Sequence, residues 1–262
     1  MTRVRLGAVG YLNARPLVHG LDGSARFELR FDVPSQCAEL LHAGAIDVGL
    51  IPSAEYTRGR YCIVPGPAIA SRGPVASVAL YTTRAVSDVR SIALDSSSRT
   101  SVALTRILCA RLFGIQPALE VCDPDLGAML ARSDAALIIG DSALSVDSSG
   151  LPRVEKIDLG GAWTAMTALP FVYAFWAGRP GALDDSDVRA LQAARDAGIQ
   201  RVDQIARTYY SDAPGMQAIG ARYLRDNIRY EFGEDEREGL MLFYRYGAEL
   251  GVLPAAGELR FY

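Results

Sequence analysis

The chain has 262 residues, half of them apolar, enough to bury a large core and long enough for two lobes with a cleft between them. Its 27 basic and 30 acidic residues are interspersed and sum to −3, so there is no basic stripe for a nucleic acid. The single lysine, Lys156 in the strand-like "RVEKIDL", and the two histidines, His19 and His42 on helix-like segments, argue against Schiff-base or histidine-driven chemistry.

In chain order, "RVRLGAVG" reads as a strand, "ARPLVHGL" as a helix start and "FELRF" as a second strand with alternating apolar residues. Pro34 and Ser35 open the next helix as first-turn residue and capper, Leu40 and Leu41 bury it, Gly44 ends it, and "IDVGLIP" is a buried strand. This β-α-β unit implies a parallel sheet covered on both faces. Cys37, Cys62, Cys109 and Cys122 are scattered without a CxxC pair and read as free thiols rather than zinc ligands. "ASVALYTT" (76–83) and "PFVYAFW" (170–176) bracket a middle region with its own β-α-β-α-β pattern, which predicts an α/β protein of two lobes with a double hinge. The borders expected are 1–81 with 176–262 for the first lobe and 82–175 for the second.

Within the middle region "SIALD" is a strand. It leads into a helix over "SSSRTSVALTRILCARLFG", with Leu104, Ile107, Leu108 and Leu112 on one face. "ALEVCDP" and "AALIIGDSAL" read as strands separated by the helix "LGAMLAR". C-terminal helices follow, with Val188, Leu191, Ala194, Gly198, Val202, Ile205 and Tyr209 in one stripe and Leu240, Phe243, Tyr244 and Gly247 in another, expected to cover the first lobe. Neither a secretory leader nor a membrane-length apolar run is visible, so a cytoplasmic protein without a membrane partner is expected.

The strongest local signal is "ALDSSSRTS" (93–101), a strand running into hydroxyls, one arginine and a helix. Unsatisfied N–H groups at a helix start attract an anion, so Ser97, Ser98, Thr100 and Ser101 can surround a carboxylate or phosphate. A plain cap needs one hydroxyl, and this segment has five, Ser96 included. Arg99 can fork onto a carboxylate or brace the loop through Asp95. Asn13 either holds a substrate hydroxyl or caps the helix that begins near Ala14, and Arg15 is expected to face solvent. Ser53 sits beyond the carboxyl end of a strand, where open α/β sheets hold ligands. Thr82, Thr83, Asp141, Ser142, Trp163 and Thr164 are candidates from their places near the ends of apolar runs.

"GAVGYLNARPLVHGL", "GAIDVGLIPSAEY", "SIALDSSSRTSVALTRIL", "LIIGDSAL" and "LPFVYAFW" resemble, in order and separation, the chorismate dehydratases of menaquinone biosynthesis. The resemblance implies a type 2 periplasmic-binding-protein-like fold, an enzyme active on a small dicarboxylate, and no cofactor or metal. Thr82 stands where family members often carry Ser. The dihydroxynaphthoate synthases of the same pathway share the fold but open with a Ser-Pro-Cys-Pro-Asn-type turn where this chain has "YLNARP". A non-catalytic small-anion receptor is the reading from another class.

For such a dehydratase the expected roles are a carboxylate cradle at "SSSRTS", a second one helped by Ser53 and Thr82, and Asn13 orienting the ring hydroxyl or the moving proton. The proton acceptor is either Asp141 through a water or the substrate's own enolpyruvyl carboxylate, with the second preferred.

Overall fold

The computed structural model describes residues 3–95, 97–146 and 154–262. Strands β1 (Val4–Val9) and β2 (Phe27–Asp32) are followed by helix α1 (Pro34–Ala43) and strand β3 (Val48–Pro52). β1 runs parallel to both β2 and β3, as the crossover through α1 permits. Pro34 opens α1 and Gly44 closes it in the left-handed conformation; Val33, not Ser35, occupies the cap position, and no side-chain cap bond is made. β4 (Cys62–Ser71) comes next, with Pro65, Gly66 and Pro67 disguising its pattern.

The chain then builds a second layer. It comprises β5 (Val78–Thr82), β6 (Ser91–Asp95), α2 (Arg99–Leu108), β7 (Ala118–Cys122), α3 (Leu126–Leu130), β8 (Ala135–Ile139), α4 (Gly140–Ser145), β9 (Glu155–Asp158) and α5 (Leu159–Thr167). It returns through β10 (Phe171–Gly178), α6 (Asp185–Ile199), α7 (Val202–Tyr209), α8 (Pro214–Arg222), β11 (Arg229–Glu231) and α9 (Glu234–Glu249). One sheet has the order β11-β4-β10-β3-β1-β2 and the other β7-β6-β8-β5-β9. The result is an α/β architecture with two sheets and C-terminal helices. α6 packs on the turn Leu12–Val18 and on β4, and α9 on β10. The approach of α6 requires Gly198, since a Cβ there would meet the Pro16 carbonyl oxygen at 2.1 Å.

Several boundaries differ from the sequence reading. The borders at 81/82 and 175/176 fall inside strands that belong wholly to one sheet: β5 pairs with β8 and β9, and β10 with β3 and β4. These runs are apolar because they lie mid-sheet, not because they cross between lobes. The chain changes sheet within 72–77 and again within 159–170. Among the described residues the two non-glycine positive φ angles, Ala76 at 63° and Ala168 at 61°, fall in these two connections. Such a conformation costs a residue with a Cβ about 1–2 kcal/mol. The Asp158 carboxylate accepts from the Val75 and Ala76 N–H groups at 3.0 and 2.6 Å, tying one connection to the other.

"AALIIGDSAL" is strand only to Ile139 and then turns into α4. A π-helical turn at Cys109–Phe113 rotates Leu112 off the apolar face of α2 and leaves it 41% exposed. The stripe from Val188 to Tyr209 spans two helices, broken at Gln200 and Arg201.

Candidate active site

A cavity of about 40 Å³ lies between the sheets. Tyr11, Asn13, Pro34 and Pro52 line it from the first sheet's turns, Ser98, Ser101, Ile139 and Gly140 from the second's, Val75 and Ser77 from the connection between them, and Tyr173 from β10. Three helix starts contribute to this wall: Pro34 begins α1, Ser98 caps α2 and Gly140 begins α4. Gly140 has a φ of +63°, and a Cβ there would sit 2.8 Å from the Tyr11 ring, so the two walls meet closely.

The gap is shut by contacts across it. The Tyr11 hydroxyl donates to Ser97 Oγ at 3.2 Å, the Ser35 N–H to the Ser97 carbonyl at 3.0 Å and the Ala54 N–H to Thr100 Oγ1 at 3.0 Å. Asp141, in the first turn of α4, accepts from the Leu12 N–H at 3.1 Å and from the Tyr209 hydroxyl. Burial raises the Asp141 carboxyl above its ordinary range, against the pull of these two donors and of nearby Arg15. Pockets that hold small organic ligands are typically ~300 Å³ or more, well above the volume of this cavity.

Asn13 lines the cavity but caps no helix. Tyr11 holds the cap position of the short 3-10 turn Leu12–Val18 without a side-chain bond, and Asn13 Oδ1 is buried without a partner among the described residues. Ser98 and Ser101 also line the cavity; Ser98 Oγ accepts from the Ser101 N–H at 3.4 Å and from its hydroxyl at 3.2 Å. Ser97 lies behind them, donating to Asp95 Oδ1 at 2.6 Å. Ser96 falls outside the described residues.

Other expected residues are placed elsewhere. Ser53 donates to the Val172 carbonyl at 2.7 Å and touches Thr100 Oγ1 at 3.4 Å, so this pair fastens one lobe to the other instead of facing the cavity. Arg99 points outward and pairs with Glu55 at 3.0 Å and Glu39 at 2.9 Å, neither forking into the cavity nor meeting Asp95. Thr82 is the clearest correction. Its hydroxyl donates to the Arg84 carbonyl at 2.8 Å, at the end of β5 opposite Ser77 and Val78, which face the cavity. β5 is antiparallel to β8, so its carboxyl end points away from the gap that the carboxyl end of β8 faces. Thr83 shares that end, donating to the Asp134 carbonyl at 3.2 Å.

Trp163 is a core residue whose indole donates to the Pro170 carbonyl at 3.1 Å, and Thr164 accepts from the Gly73 N–H at 2.8 Å. Arg15 is half-buried rather than solvent-facing, with its guanidinium 4.2 Å from the Phe31 ring centre and 5.1 Å from that of Tyr209.

Sequence reasoning missed Ser77, Tyr173 and Tyr223. The Tyr223 hydroxyl donates to Ser77 Oγ at 2.7 Å. Burial raises Tyr11, Tyr173 and Tyr223 above the ordinary tyrosine range, which keeps all three phenols protonated at neutral pH. None of the described lining residues is Asp, Glu, His, Lys or Arg. The cavity therefore offers hydroxyls and one amide; of the helix-start groups on its wall, Pro34 has no N–H, the Gly140 N–H is donated to the Ser77 carbonyl and the Ser101 N–H to Ser98 Oγ.

Two sheets, two chain crossings and a cavity between the sheets define a fold built like the periplasmic binding proteins. A protein of Archaeoglobus fulgidus superimposes with a TM-score of 0.77 at 15% identity, covering 96% of this chain and 98% of that one. The alkanesulfonate-binding protein of Xanthomonas axonopodis pv. citri superimposes with a TM-score of 0.69 at 15% identity, covering 97% and 95%. The family model described as menaquinone biosynthesis matches residues 4–249, and the chain belongs to that family. A chorismate dehydratase of Thermus thermophilus is 31% identical over 259 residues, covering 91% of this chain and 93% of the relative.

Proposed function

We propose that the protein is a chorismate dehydratase, a hydro-lyase that removes water from chorismate to give 3-[(1-carboxyvinyl)oxy]benzoate for menaquinone biosynthesis. The observation that carries this is the family membership together with a cavity between the sheets lined by hydroxyls and one amide whose acceptor has no partner among the described residues. Chorismate is a dianion with a ring hydroxyl at C4 and a proton at C3; losing both aromatises the ring. The α2 start with the Ser98 and Ser101 hydroxyls cradles one carboxylate. Asn13 Oδ1 meets the ring hydroxyl.

The proton acceptor is the enolpyruvyl carboxylate of the substrate. Supporting this, no Asp, Glu, His, Lys or Arg is among the described residues that line the cavity, and both oxygens of Asp141 are engaged by Leu12 and Tyr209. Residues 72–77 and 159–170 serve as the double hinge that opens the lobes, and closure excludes water from the reacting ring. No described helix is long and apolar enough to cross a membrane, and we place the enzyme in the cytoplasm. Incubating the purified protein with chorismate and weighing the product by mass spectrometry tests the reading. A product lighter than chorismate by one water is expected; recovery of unchanged chorismate overturns it.

A further inference from the structure

We propose that Asp158 is a positioning residue that sets the Val75–Ser77 wall of the cavity, by holding Ala76 in a backbone conformation it would otherwise leave. The inference rests on the cavity being the dehydration site and adds a residue outside its described lining. Val75, Ser77 and Val78 line the cavity where the chain enters β5, and Ala76, between the first two, has a φ of 63°. A residue with a Cβ disfavours that region, so surrounding contacts must impose it.

Those contacts come from β9. Asp158 Oδ2 accepts from the Ala76 N–H at 2.6 Å, and Oδ1 accepts from the Val75 N–H at 3.0 Å. Two residues earlier on the same strand, Lys156, the chain's single lysine, donates from Nζ to the Ala76 carbonyl at 3.2 Å. The two peptide groups that flank the Ala76 Cα are therefore both gripped from one strand, the N–H by a carboxylate and the carbonyl by an ammonium, and charged partners make the stronger hydrogen bonds. On either side the segment is held as well: Asn227 Nδ2 donates to the Pro74 carbonyl at 2.9 Å, and the Gly140 N–H to the Ser77 carbonyl at 2.8 Å.

Helix capping alone does not account for Asp158. It caps α5 by accepting from the Gly161 N–H at 2.9 Å, a task that needs one bond. Its two further bonds reach back 83 and 82 residues, to the wall segment. The φ of Ala76 fixes the angle between Val75 and Ser77, so freeing Ala76 moves Ser77 Oγ relative to the Ser98 and Ser101 hydroxyls that share the cavity. The Cβ of Ala76 is what makes the grip necessary, since a glycine adopts a positive φ without it.

The test is Asp158→Ala in two backgrounds, the parent and Ala76→Gly, assayed with chorismate, together with the backbone ¹³C shifts of Ala76. In the parent background the substitution lowers kcat/KM by roughly 5- to 30-fold, the factor by which a residue with a Cβ disfavours left-handed φ. In the Ala76→Gly background it costs less than about threefold, because glycine keeps that φ unaided. A residue that merely capped α5 costs the same factor in both backgrounds. Equal losses, or Ala76 shifts that stay left-handed in Asp158→Ala, overturn the proposal. If Asp158→Ala does not fold, Lys156→Met, which leaves the α5 cap intact, takes its place: a loss in the parent background at least about threefold larger than in Ala76→Gly upholds the grip, and equal losses refute it. If the parent protein leaves chorismate unchanged, the functional reading fails separately. The ¹³C shifts then decide alone: left-handed Ala76 shifts in the parent that leave that range in the β9 variant uphold the positioning role, and shifts indifferent to the substitution refute it.

Discussion

Replacing Asp141 with alanine should weaken catalysis by loosening the closed form. This carboxylate belongs to the second sheet's α4, yet its oxygens hold the Leu12 N–H at 3.1 Å and the Tyr209 hydroxyl, both on first-lobe elements. A hydrogen bond to a charged group contributes roughly 1.5–3 kcal/mol. Taking the lower figure for each, removal shifts closure by about 3 kcal/mol, which corresponds to on the order of 100-fold in the equilibrium. The alanine variant should lose about that factor in kcat/KM for chorismate. Asp141→Asn, which keeps an acceptor without the charge, should lose less. Each lobe's own core is untouched, so the far-ultraviolet spectrum stays that of the parent. A kcat/KM within twofold of the parent for Asp141→Ala would refute the latch and remove Asp141 from the closing interface.

Three further outcomes are expected. Ser98→Ala combined with Ser101→Ala should raise KM for chorismate by on the order of 100-fold, since each lost charge-assisted bond contributes ~1.5 kcal/mol or above; steady-state kinetics checks it. Thr82→Val should leave kcat and KM within about twofold while lowering Tm, because its hydroxyl serves the turn at Arg84; a large kinetic effect would return Thr82 to the site. Glu55 carries a pH signature. Burial alone would raise its carboxyl, but His42, Arg99 and Arg58 outweigh burial and hold it below the ordinary glutamate value of 4.5. Its contribution to stability is therefore complete above pH 4.5 and lost as pH falls through the depressed value, because the unfolded chain takes up the proton first. Urea midpoints measured from pH 7 down to pH 3.5 should fall less steeply for Glu55→Gln than for the parent; parallel curves would contradict the assignment.

Local patterns carried much of the fold. Alternating and β-branched runs marked β1, β2, β3, β5, β6 and β8, and Pro34 with Gly44 bounded α1, because strand alternation, a proline's fixed φ and a glycine's left-handed φ are properties of a few consecutive residues. β4 stayed hidden because Pro65 and Pro67 violate the strand pattern, and only its pairing with β10 and β11 makes a strand of it. The hydroxyl-rich start of α2 and the position of Asn13 were likewise visible along the chain, and the structure brings Asn13, Ser98 and Ser101 to one cavity.

What the chain could not reveal in one dimension was direction and long-range partnership. Thr82 was misplaced because a strand's sequence does not say whether it runs parallel or antiparallel to its neighbours, and that decides which end of β5 meets the gap. Arg99 was misjudged because its partners, Glu39 and Glu55, are 60 and 44 residues away. Tyr173 reaches the cavity from β10 and Ser77 from the connection before β5, and no local pattern marks either placement. Helix starts and caps are decided by neighbours along the backbone; which hydroxyls share one buried cavity is decided by how the two sheets come together, and only the tertiary structure supplies that.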